Sequence, residues 1–177
     1  MTLEEVYGSK PDLLPRSMIR LIRAGQQGSR RTVWVGCEGV RLLDLSEHLL
    51  FERQSLGRFP RDSDGSIVWR DADDSLVVWS KEEDSIDLEN AIRDFARGCS
   101  GLVIQWGSLA IPSVDVSQEA MVSHVAEIVD SIPEFWIYSS QDRLIMEHSF
   151  SGLVTVARVP TEPSDPSLGG TEVFSAT

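Results

Sequence analysis

The pattern of apolar and polar residues is most legible from Glu134 to Pro160. The pattern predicts three consecutive strands, Phe135–Tyr138, Leu144–His148 and Leu153–Arg158. Ser139–Arg143 and Ser149–Gly152 join them, and both are short and rich in turn residues. Pro133 and Pro160 bound the stretch, so this meander is expected to be the floor against which the rest packs. Upstream the period changes to that of a helix. Leu88, Ala91, Ile92, Phe95 and Ala96 form one stripe, with Asp84 or Ser85 as cap and Gly98 as stop. Met121, Val125, Ile128 and Ile132 form a second, capped by Asp115 or Ser117. Leu102–Trp106 reads as a strand between the two helices, and Gly107–Asp115 as a loop.

The first half is less regular. Thr2 and Glu5 have the spacing of a capping box. Leu14, Met18, Leu21 and Ile22 share a helical face, Pro15 suits a first turn, Gly25 is a natural stop, and Arg20 and Arg23 favour the C-terminal end of the dipole. Together they predict a helix over Pro15–Ala24. Gln26–Arg31 reads as a polar loop, Thr32–Val35 as a strand, Gly36–Gly39 as a turn and Val40–Leu43 as a returning strand. From Leu42 to Phe51 two readings stand: a strand followed by a short helix from Ser46, or one continuous helix. Leu56–Ser66 is a loop, and Ile67–Arg70 with Leu76–Trp79 predicts a hairpin around Asp71–Ser75.

Trp34, Trp69, Trp79, Trp106 and Trp136 all fall inside expected strands. Their unequal spacing excludes a repeat architecture. The simplest expectation is one sheet whose indoles fill the gap beneath its helices, each N–H finding a polar partner. These readings predict an α+β fold: one mostly antiparallel twisted sheet of about six to eight strands with three or four helices packed on it. Residues 1–160 form the domain, and the Pro- and Gly-containing segment 161–177 is expected to be a flexible tail.

Composition narrows the function. At 177 residues and 41% apolar content, one continuous core is expected. No run approaches the roughly 18 apolar residues of a membrane helix, and no basic segment followed by an apolar run marks a secretory signal. Cys37 and Cys99 could make one bridge at most, so reduced thiols in a cytoplasmic protein are expected. The net charge of −12 argues against general nucleic-acid binding. That charge is uneven: Asp62 to Asp94 holds eleven acids against three bases, whereas Arg16 to Arg41 holds six arginines against Glu38. Arg30 and Arg31 beside Trp34 could suggest nucleic acid. A stripe of arginines in an acidic chain is instead expected to pair with the protein's own acids.

No catalytic constellation is visible. His48, His124 and His148 lack metal-ligand spacing and are expected to be structural or solvated. Glu147 and His148 are neighbours on a strand and point to opposite faces, so they do not form a pair. Cys37, in a tight Gly-Cys-Glu-Gly turn, lacks an electropositive setting. Gly107-Ser108-Leu109-Ala110 lacks the closing glycine of a nucleophile elbow, and there is no GxGxxG or Walker A pattern. Asp71, Asp73, Ser75 and Glu82 match part of a calcium-loop register, but Leu76 stands where glycine is needed, so no metal or cofactor is expected.

In size, acidity and lack of a catalytic constellation the chain resembles bacterial immunity proteins, a likeness of composition that transfers no residues. It implies a cytosolic, non-enzymatic partner that covers a toxin. The leading expectation is a binding protein that neutralises or regulates a basic protein partner, such as a toxin domain. The docking surface would be Asp71, Asp73, Asp74, Glu82, Glu83, Asp84 and Asp87. Neither a nucleic acid nor a membrane is expected as partner, and a monomer or a homodimer is. One alternative is a small-molecule-binding or hydrolytic domain with a pocket between sheet and helices near Cys37 or His148. Another is a structural, homo-oligomeric subunit.

Overall fold

The computed structural model describes residues 2–23, 25 and 31–161. Strands β7 (Phe135–Ser139), β8 (Leu144–His148) and β9 (Leu153–Arg158) form the expected meander, with Ile137, Met146 and Val156 in register. They lie inside a seven-stranded antiparallel sheet ordered β3-β6-β5-β7-β8-β9-β4. Its other members are β3 (Val40–Leu42), β4 (Val77–Glu82), β5 (Leu102–Trp106) and β6 (Val114–Val116). Thus β3 and β4 are its edges. The meander is not a floor covered on one side, because every residue of β5 and β7 is buried. Leu102, Ile104, Phe135, Ile137, Met146, Val154 and Val156 face one core cluster, while Trp136, Tyr138, Ile145 and Ala157 face a second.

Two helices cover the first face. In α3 (Leu88–Gly98) the residues Leu88, Ile92, Phe95 and Ala96 are buried, and in α4 (Gln118–Ser131) so are Met121, Val125 and Ile128. Both stripes are those of the sequence. The cap of α3 is Asp87, because Glu83–Ser85 forms its own 3-10 turn, and Ser117 caps α4. Asp115 belongs to β6, a short strand in the expected loop. It pairs with both β3 and β5 and closes the gap between them.

The second face is covered by α2 (Leu45–Gln54) and the irregular chain that follows. Asp44 caps α2 in a capping box with Glu47, and this resolves Leu42–Phe51 into a strand and then a helix. The expected hairpin over Ile67–Trp79 does not form. Ile67 makes one isolated bridge to Arg61, and Trp69–Asp71 and Asp74–Leu76 are 3-10 turns. Here β4 pairs with β9 instead, which leaves Trp69 free to lie over the sheet.

The helix expected over Pro15–Ala24 is a strand. Residues of β1 (Ile19–Arg23) pair antiparallel with β2 (Thr32–Gly36), opposing Leu21 to Trp34 and Ile22 to Val33. Cross-strand pairing of aromatic and β-branched residues outweighs the local helical spacing. Leu14, Met18 and Ile19 anchor the base of this ribbon in the core. A short helix, α1 (Leu3–Val6), has the capping box read from Thr2 and Glu5. The loop expected at Gln26–Arg31 lies outside the described residues except at Arg31, as does the expected tail beyond Thr161.

The indoles are not one layer. Trp106 and Trp79 lie on the face of α3 and α4, Trp136 and Trp69 on the opposite face, and Trp34 on the ribbon. Trp69 is outside any strand. Period-2 alternation assigns side chains to two faces, and both faces of this sheet are covered.

Candidate functional site

Sidedness along β8 separates two neighbouring ionisable groups. Glu147 points into the second core and is 2% exposed. Its carboxylate accepts a hydrogen bond from Trp136 Nε1 at 2.8 Å and another from Trp69 Nε1. Burial pushes this carboxyl above the ordinary glutamate range, opposed by the two indole donors. Ser55 and Gln105 are also buried on this face and share a hydrogen bond of 3.1 Å. Glu147 lines none of the clefts described below. It is a structural clasp that ties Trp69, and with it the irregular 56–76 segment, to the sheet.

His148 points the other way, as its strand position requires. It is buried, lies 5.2 Å from the ring of Phe135, and its Nε2 is 3.0 Å from Glu83 Oε2. This contact makes Glu83 part of the structure as well as of the acidic surface. Glu82, Glu83, Asp84, His148, Ser149, Phe150, Ser151 and Gly152, with Pro133, line a polar cleft of about 350 Å³. A second, apolar cleft of about 300 Å³ lies beside it, formed by Leu13, Ile111, Ile132, Pro133 and neighbours. Phe150 and Pro133 line both. Phe150 is 79% exposed, more than any other large apolar residue described. In sequence it gives no signal, because a single Phe in a Ser-Gly turn is ordinary without its surroundings.

The seven acids named from the sequence form two groups. Asp71, Asp73 and Asp74 lie in the 3-10 turns before β4, with Asp73 Oδ1 accepting from the Ser75 backbone at 2.9 Å. Hydrogen bonding from the Ser75 side chain, and then from its backbone, holds the Asp73 carboxyl below its usual range. Glu82 ends β4, and Glu83, Asp84 and Asp87 follow it. The strand residues Val77 to Lys81 separate the groups by about 17 Å. Only the second group borders the Phe150 clefts. Asp87 is committed to capping α3, accepting from Asn90 N at 3.0 Å.

The other histidines have structural surroundings. His48 is buried, with Nδ1 2.8 Å from Ser113 Oγ and its ring 4.8 Å from Tyr7. Burial lowers its pKa below the ordinary 6.5. The unfolded chain therefore takes up the proton first. His48 contributes fully above about 6.5, and stability falls as pH drops from there through the lowered folded value. In urea titrations from about pH 7 to about pH 5.5, His48→Gln should lose stability less steeply with acid than the wild type. Parallel slopes would show that His48 does not carry this dependence.

His124 Nδ1 is 2.8 Å from Ser17 Oγ, beside a cleft of about 240 Å³ that includes Gly39 and Ser117. Among the described residues, no acid is bonded to the other ring nitrogen. Cys37 is half-buried and Cys99 buried, both are free, and burial raises the Cys99 thiol. Among the described residues, no group of three or more His, Cys, Asp or Glu is placed to hold a metal ion, and no helix is long and apolar enough to cross a membrane. Comparison with protein-family models, with curated proteins and with solved structures finds no match.

Proposed function

We propose that this protein binds a basic protein partner through the Phe150 ridge, with Glu82, Glu83 and Asp84 beside it. The observation that carries this reading is a Phe that is 79% exposed between an apolar cleft and an acidic one. A matching segment presents an apolar side chain to Leu13, Ile111 and Ile132, and a Lys or Arg to the carboxylates. Burying an aromatic anchor supplies about 2 kcal/mol, and the carboxylates add steering and discrimination against acidic competitors. Asp71, Asp73 and Asp74 extend the negative field but lie outside the anchor site. The reading is non-enzymatic, and blocking a basic toxin domain is the role it suits best.

A hydrolytic or small-molecule reading has one observation in its favour, the Ser17–His124 pair beside its cleft. It lacks a group to orient the imidazole among the described residues.

To test the proposal, a bound protein is isolated from the producing cells and its affinity for purified variants is measured by calorimetry. Phe150→Ser combined with Glu82→Lys and Asp84→Lys should weaken binding at least about 100-fold, and Asp73→Lys with Asp74→Lys about tenfold or less. Glu83 is left intact because of its contact with His148. Isolation of no basic protein, or equal affinity of the Phe150 variant, would refute the proposal.

A further inference from the structure

The ribbon of β1 and β2 leaves apolar side chains on both of its faces. Leu21 and Trp34 oppose each other on one, Ile22 and Val33 on the other. Leu21 is 52%, Ile22 38% and Trp34 36% exposed. Within β1 only Ile19 is buried. A two-stranded ribbon of this kind is marginal in water unless it packs against something. It is also basic: Arg16, Arg20, Arg23 and Arg31 are exposed, and none makes an ion pair with a described residue. Of the stripe expected to pair with the protein's own acids, Arg41 does so, with Glu47 and Asp115, whereas these four do not among the described residues.

The complementary acids sit at the far side of the same molecule. The ribbon joins β3 through the Gly36–Gly39 turn, and β3 is one edge of the sheet. The Asp71–Asp74 turns lead into β4, the other edge, six strand spacings or about 29 Å away. Beside those turns Val78 is 47% exposed at the irregularity in β4. That irregularity and Lys81 blunt the edge against addition of another strand, so side chains rather than a backbone ladder must make any contact there.

We infer that the ribbon docks on a second copy of this chain, its arginines against the Asp71–Asp74 turns and its apolar row against Val78. One molecule carries both halves, so a two-fold pair gives one ribbon and receives one in each copy, and closes. This contact does not depend on the Phe150 clefts. It predicts a dimer of twice 19.7 kDa that loosens as salt rises.

The test is light scattering with sedimentation equilibrium on the full chain at low and high salt. Arg20→Glu with Arg23→Glu, and separately Asp73→Lys with Asp74→Lys, should each weaken the dimer about 100-fold. Circular dichroism confirms that each variant is folded. Mixing the two variants restores opposite charge at both contacts and should restore the dimer. A wild-type monomer, a dimer indifferent to both variants, or no recovery on mixing overturns the inference. Open-ended growth beyond two chains overturns the closed pair, and a monomer that binds anionic vesicles or RNA through Arg20 and Arg23 assigns the ribbon to those partners instead. Because Arg20→Glu with Arg23→Glu leaves Phe150 and every acid in place, loss of the dimer in that variant and loss of the basic partner are separate results.

Discussion

Replacing Glu147 with alanine lowers the unfolding free energy by about 4 kcal/mol. The substitution empties space in the second core and leaves the N–H groups of Trp69 and Trp136 without their acceptor. Glu147→Gln costs less, about 1–3 kcal/mol, because its carbonyl can still accept from one indole while its NH₂ faces the other. Trp69→Phe removes one donor and keeps most of the ring, so it falls near the lower value. The carboxyl also has a defined pH signature. Its folded pKa is raised above the ordinary 4.5, so the folded state holds the proton more tightly than the unfolded chain. That contribution is fully present below the unfolded value and is lost as pH rises through the raised folded value. Urea unfolding of wild type and Glu147→Gln across that window reads it directly, and the variant's curve should lack the decline. An alanine variant as stable as the wild type would show that the clasp contributes nothing.

Gly36→Ala is expected to cost about 3 kcal/mol for a steric reason. A Cβ at this position falls 1.8 Å from the carbonyl oxygen of Val40 and 2.5 Å from its carbon, and both are backbone atoms. No side chain can turn aside to make room. The corner between β2 and β3 has to open, which shifts the ribbon relative to the sheet. Thermal unfolding measures the loss, and tryptophan fluorescence should change at Trp34, which lies two residues away on β2. If Gly36→Ala unfolds at the wild-type temperature, the tight crossing of β2 over the following strand is refuted.

The parts of the fold that the sequence revealed are those where local pattern and tertiary demand agree. The stripes of α3 and α4, the capping box at Thr2 and Glu5, and the three strands of the meander all have periods that only one structure satisfies. It misled where local spacing fitted two structures. Leu14, Met18, Leu21 and Ile22 match a helix, but IRLIR equally matches a strand, and only the partner TVWVG decides between them. The expected strand Ile67–Arg70 failed differently. There Trp69 follows its indole toward Glu147, and nothing within the segment announces a hydrogen-bond acceptor 78 residues away.

The candidate site was partly legible. Its charge was visible as a concentration of acids, and the opposite sidedness of Glu147 and His148 followed from the strand alone. Phe150 was not visible as an anchor, because its meaning comes from Leu13, Ile111 and Ile132, distant in sequence and brought to its side.

By itself the sequence determined the composition of the layers: an α+β chain, two amphipathic helices, a meander and a polarised distribution of charge. These follow from residue type and period, which are local quantities. Only the tertiary structure decided which strands pair, that both faces of the sheet are covered, and that the acids divide across β4 into two groups. Those outcomes depend on contacts between residues far apart in the chain, whose free energies outweigh local preference wherever the local pattern leaves more than one conformation open.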